Sequence, residues 1–196
     1  MKLTRRAFVI LSAGASLSGC ASIGFGTVVP SGATTPVQLT QASILAAVNE
    51  ARRANGGHKP MSYNGMLEVA ARSQANLMAS KDQLAHNLGV TLRERVSAAG
   101  YEGAVGENIA GGQQTLQQAI EGWLNSPGHR ATLLSDKFTE FGLAVARVGG
   151  GRKSRYGIYW CFIAGGSFAP WLNGGQSAPA DAPGGDSLTI SGGVSG

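Results

Sequence analysis

Between residues 41 and 134 apolar residues recur at three- and four-residue intervals; after residue 139 they gather into longer runs interrupted by glycine. The first pattern predicts helices and the second strands. A helix opens at Thr40 or Gln41, sets Ile44, Leu45, Val48 and Ala51 on one face, and stops near Asn55-Gly56-Gly57. The piece MSYN, residues 61–64, is short and extended. A second helix runs from about Gly65 to about Ser80 and turns Leu67, Ala70, Ala71, Leu77 and Met78 inward. TLRERVSAAG carries a capping-box pattern, Thr91 with Glu94 three residues on, and ends on Gly100. TLQQAIEGWLN predicts a fourth helix with Leu116, Ala119, Ile120 and Trp123 on one stripe, and residues 127–134 a short fifth.

Two strands follow, TEFGLAVARV and RYGIYWCFIA, joined by the turn-rich GGGRKS. A lone hairpin is not stable in water. It must lie against the helices, and MSYN is a candidate third strand. The class is α+β, with helices covering a small antiparallel sheet.

The ends depart from this pattern. MKLTRR followed by AFVILSAGASLSG reads as an export leader over residues 1–20, too short and too rich in Gly and Ser to span a bilayer as a mature helix. LSGC, ending at Cys20, resembles the lipobox of bacterial lipoproteins, whose cysteine takes lipid and anchors the chain to a membrane. Arg5 and Arg6 before an apolar run also resemble a twin-arginine export signal; a general secretory leader is the alternative. Residues 21–39 read as a tether and residues 167–196 as a disordered Gly-, Ser-, Pro- and Ala-rich tail, which leaves a folded domain over 40–166. The expected location is the cell envelope, at the outer membrane if the organism has one, since Ala21 rather than aspartate follows the cysteine.

Charge then loses its force as a clue. The chain carries 16 Lys and Arg against 11 Asp and Glu. Lys2, Arg5 and Arg6 leave with the leader, so 13 face 11, and no nucleic-acid footprint remains. With Cys20 lipidated, Cys161 has no partner for a disulfide, and its apolar surroundings make it an inert buried thiol.

Three histidines remain as candidate chemistry. His58, in NGGHKP, reads as a loop residue. His86 follows the second helix in DQLAHNLGV, and His129 opens the fifth in NSPGHRATLL, where the helix N-terminus favours the neutral ring. Between them VGENIAGG holds Glu107, with glycines whose turns would aim its carboxylate inward. A carboxylate beside two imidazoles can orient them or complete a divalent-metal site. Ser126 reads as the cap of the fifth helix, with Pro127 in its first turn.

Several segments together resemble the bacterial branch of the CAP superfamily, the SCP or cysteine-rich secretory protein/antigen 5/pathogenesis-related 1 domain. They are LAAVNEARRANG, MSYNGMLEVAARSQANLMA, the AH at His86, GENIAGG, GWLNSPGHRATLLSDKFTEFGLAV and YGIYW, which cover roughly residues 41–165. The resemblance implies an α–β–α sandwich and a cleft of two histidines and two acids. His86, Glu107 and His129 match three of these. At the fourth, three positions after Trp123, Ser126 stands where animal relatives carry glutamate; Glu140 is a weaker substitute, and Asn108 and Ser126 are candidate hydrogen-bonders to the imidazoles. The implied function is a binding module for a lipid-like or small-molecule ligand, with Zn2+ or another divalent metal held by His86, His129 and Glu107. A metal-dependent hydrolase and a purely structural polar network are the alternatives, and no catalytic residue is assigned.

Overall fold

The computed structural model describes residues 39–151, 153–172 and 188–189. The leader, Cys20 and most of the tether lie outside them. The helices form where periodicity places them: α1 over Gln41–Ala54, α2 over Gly65–Lys81, α3 over Leu92–Ala98, α4 over Leu116–Asn125 and α5 over Pro127–Leu134. Capping boxes open α1, α3 and α4, each with a threonine that accepts from the backbone three residues on. Thr91 and Glu94 form theirs as expected: Glu94 N–H donates to Thr91 Oγ1 at 3.2 Å, and Thr91 N–H to Glu94 Oε2 at 2.7 Å. Asn64 opens α2, its side chain accepting from Met66 and Leu67.

The strands are β1 (Ser62–Tyr63), β2 (Ala104–Gly111), β3 (Glu140–Arg147), β4 (Ile158–Gly166) and β5 (Leu188–Thr189), with a helical turn α6 over Ala169–Leu172. They make one sheet in the order β1-β3-β4-β2-β5. β4 pairs antiparallel with β3 and β2, but β1 runs parallel to β3, and β5 parallel to β2. The sheet is therefore mixed rather than antiparallel. β1 reaches β3 only after the chain has passed through α2 to β2, so no hairpin forces the two to oppose. α6 and β5 lie beyond residue 166, in the stretch expected as a tail.

Both faces of the sheet are covered. Along β4 the side chains alternate: Ile158, Trp160, Phe162 and Ala164 join a core with α1, α4 and α5, while Tyr159, Cys161 and Ile163 join a second core with α2 and α3. Burial on both faces explains why β4 reads as an unbroken apolar run. This is the α–β–α sandwich. One core residue breaks the apolar rule. Arg52 of α1 is fully buried and donates to Lys59 O, Leu133 O and Ser135 O as well as to Asp136 at 3.0 Å, which fixes the end of α5 against α1.

Candidate functional site

The segment holding Glu107 was expected to turn on its glycines; it is instead strand β2, buried along its length. Gly106 serves close packing, because a Cβ there would lie 3.0 Å from Thr132 Cγ2 and 3.1 Å from the Phe138 ring. A strand sends successive side chains to opposite faces. Val105, Glu107 and Ile109 face α2 and α3, whereas Gly106 and Asn108 face α5.

That alternation builds the site. On one face Glu107 Oε1 lies 2.8 Å from His86 Nδ1. On the other, Asn108 Nδ2 donates to His129 O at 2.8 Å, so it positions the backbone of α5 and not the imidazole expected of it. The two rings nevertheless come within 6.5 Å, centre to centre, tilted by 33°. His129 is fully buried and His86 is 27% exposed, so solvent enters from the His86 side.

Two further residues hold this arrangement, and neither was named from the sequence. Arg95, on α3, donates through Nη2 to Glu107 Oε2 and through Nη1 to Val90 O at 2.8 Å and His86 O at 3.2 Å. Gln74, on α2, donates to Ala85 O at 2.5 Å and His86 O at 3.2 Å. Together they fix the loop that carries His86. Their signal in the sequence is a polar residue on an apolar stripe: Gln74 between Ala70 and Met78, and Arg95 beside Leu92 and Val96.

The electrostatics follow from burial. The Arg95 and Glu107 side chains are 1% and 2% exposed, so each neutralises a charge that the interior would otherwise penalise heavily. The Cys161 thiol donates to Glu107 Oε2 at 3.4 Å, and burial, reinforced by the Glu107 charge, pushes its pKa well above the ordinary thiol value. It is an inert thiol. The Glu107 carboxylate orients the His86 ring through Nδ1; a neutral ring that donates from that nitrogen would use Nε2 to ligate a metal or accept a proton.

The other expected members stand apart. Glu140 begins β3, where Asn64 Nδ2 donates to its Oε2 at 2.7 Å and the Tyr101 hydroxyl to its Oε1 at 2.8 Å; it locks β1 and β3 together and does not replace the missing acid. Ser126 is the residue before Pro127, with extended φ and ψ, but its side chain makes no capping hydrogen bond. Glu107 gives one oxygen to His86 and the other to Arg95, so its contacts are those of a group that orients the ring and pairs the buried cation. Among the described residues no three His, Cys, Asp or Glu side chains are grouped to hold an ion.

The sequence model of the CAP family, the cysteine-rich secretory protein family, matches residues 45–163, which span α1 to β4. The chain belongs to the CAP family. Its CAP domain is 30% identical over 108 residues to the Bacillus subtilis protein YkwD, and 50% identical over 42 residues to the B. subtilis membrane protein YlbC. These alignments cover 54% and 21% of this chain, and only 42% and 12% of the relatives. Among solved structures, an extracellular SCP-domain protein from Bacillus anthracis superposes with a TM-score of 0.53 at 22% identity, covering 64% of this chain and 40% of that one. An outer surface protein of Borrelia burgdorferi superposes with a TM-score of 0.51 at 23% identity, covering 65% of this chain and 92% of that one. Both share the fold. Among the described residues of the CAP-domain protein, no helix is long and apolar enough to cross a membrane.

Proposed function

We propose that this CAP-domain protein is an exported binding module of the cell envelope, held to the membrane through lipid on Cys20, in which His86 and His129 hold a divalent metal such as Zn2+ and present it to a small-molecule ligand. The observation that carries the reading is the 2.8 Å contact of Glu107 with His86 Nδ1, beside a second imidazole 6.5 Å away. A carboxylate that fixes the tautomer of a ligating histidine is a recurrent feature of metal sites. Two protein ligands leave coordination positions for water or for donor atoms of a bound molecule, and borderline ions such as Zn2+ suit imidazole. Export is supported by the leader and by the extracellular and outer-surface descriptions of the two structural neighbours.

Calorimetric titration of Zn2+ into the protein is expected to show one saturable site, weakened at least about tenfold by His86→Ala and by His129→Ala. The absence of saturable binding, or binding that survives both substitutions, overturns the metal site. A second reading is favoured by the Arg95–Glu107 pair and the Gln74 hydrogen bonds, which serve the fold without any ligand. In that case both histidine variants melt earlier while the titration stays flat. Anchoring has its own test: metabolic labelling with a tritiated fatty acid should mark the protein, and label retained in Cys20→Ala would refute the lipid.

A further inference from the structure

At the end of β4 the chain turns through α6, and its side chains form a surface unlike the rest of the domain. Leu172 is 69% exposed and Phe168 36%, while Trp171 is half-buried with its ring 5.4 Å from that of Phe138. Two cations from separate elements sit over these rings. Lys137 Nζ lies 4.3 Å from the centre of Trp171, and the Arg93 guanidinium 5.8 Å from that of Phe168. Of the carboxylates on the adjoining segments, Glu140 is engaged by Asn64 and Tyr101, Asp136 by Arg52 and His58, and Glu94 by Thr91, while Glu102 stands beside Gly103, whose carbonyl accepts from Arg93 Nη1.

We infer that this corner is a contact for an anionic phospholipid surface, with Leu172 and Phe168 entering the acyl boundary, Trp171 at headgroup level, and Arg93 and Lys137 facing the phosphates. Aromatic rings with one apolar and one wet side are favoured at that depth. Lys and Arg lay their stems along apolar surface while the charged head stays among polar groups, and negative lipids attract them. A protein partner suits the corner less well. Three apolar side chains from one helical turn fall far short of the roughly 800 Å2 per partner that a stable protein interface buries. The contact is independent of the histidine pair and concerns the posture of the domain: a lipid on Cys20 would keep the domain near the bilayer, and this corner would set which side faces it.

Trp171 is its own reporter, because Trp123 and Trp160 are 0% and 1% exposed and beyond the reach of a quencher in the bilayer. The full chain carrying Cys20→Ala is mixed with phosphatidylcholine vesicles, with or without phosphatidylglycerol, whose acyl chains are brominated. Anionic vesicles should quench the part of the emission that Trp171→Phe removes, and neutral vesicles should quench it little. Leu172→Glu, at an exposed position that unfolding does not confound, should abolish the quenching. Arg93→Gln with Lys137→Gln should weaken vesicle binding about thirtyfold. Equal quenching with Leu172→Glu overturns the inference. So does sedimentation with the vesicles while Trp171 stays unquenched, which would mean that the leader segment alone binds. A dimer that Leu172→Glu dissociates, without quenching, would assign the corner to a second copy instead.

Discussion

Replacing Glu107 by alanine is expected to destabilise the protein by roughly 3–5 kcal/mol, because it strands the Arg95 cation in the interior. Both side chains are almost wholly buried, and Arg95 cannot neutralise itself by giving up its proton. The same change removes the acceptor for His86 Nδ1 and for the Cys161 thiol. For a chain of this length the melting temperature should fall by about 10–15 °C. The paired substitution Arg95→Met with Glu107→Leu should recover much of that loss, since an apolar pair of similar volume needs no compensation for buried charge. It should not recover the metal. Without a carboxylate at Nδ1 nothing selects the His86 tautomer, and zinc affinity should stay about 10- to 100-fold below the parent. Thermal melts and zinc titrations of the three proteins separate the roles. A single variant whose stability stays within about 1 kcal/mol of the parent would show that the ion pair is not a buried one. A paired variant that binds zinc as the parent does would remove Glu107 from the positioning of His86.

The same residues show how far a sequence can be read. Helices α1 to α5 were legible because each buries one stripe, and a stripe repeats at helical spacing. β4 was legible as an apolar run. β2 was not, since AVGENIAG shows neither alternation nor a continuous apolar stretch. Its polar residues are tolerated in the core only because partners arrive from elsewhere in the chain: Arg95 from 12 residues away and His86 from 21. Local patterning holds no record of such meetings. The convergence of His86, Glu107 and His129 was legible through family resemblance and not through spacing. Arg95 and Gln74 were visible as polar residues on apolar stripes, but what they touch is set by the fold. The parallel direction of β1 and β5 was beyond reach, because each forms with only two residues.

Gly142→Ala is expected to be the most damaging methyl among the described glycines, costing more than about 3 kcal/mol and leaving little folded protein at physiological temperature. Gly142 lies in β3, paired with Ile163 of β4, where the first turn of α2 crosses the sheet. A Cβ there would stand 2.1 Å from Glu68 N, 2.3 Å from Leu67 C and 2.7 Å from Glu68 Cα. Ordinary overpacking costs about 1–3 kcal/mol because side chains can shift into other rotamers. Here every atom in the way is backbone, and neither element can yield alone. The helix start is pinned by Asn64, whose N–H donates to Phe141 O at 2.8 Å and whose side chain caps Met66 and Leu67. β3 is held in register with β4 along its whole length. Moving α2 outward by the required distance would open the core beneath Leu67, Ala71 and Met78 and carry away Gln74, which holds the His86 loop. The damage therefore reaches the site through the helix. Gly149→Ala is the control: it adds the same methyl in the loop after β3, where nothing lies within 4 Å, and should change stability by less than about 0.5 kcal/mol. Denaturant unfolding of the two variants beside the parent decides the matter. If Gly142→Ala unfolds with the parent's midpoint, α2 does not rest on β3 at this glycine.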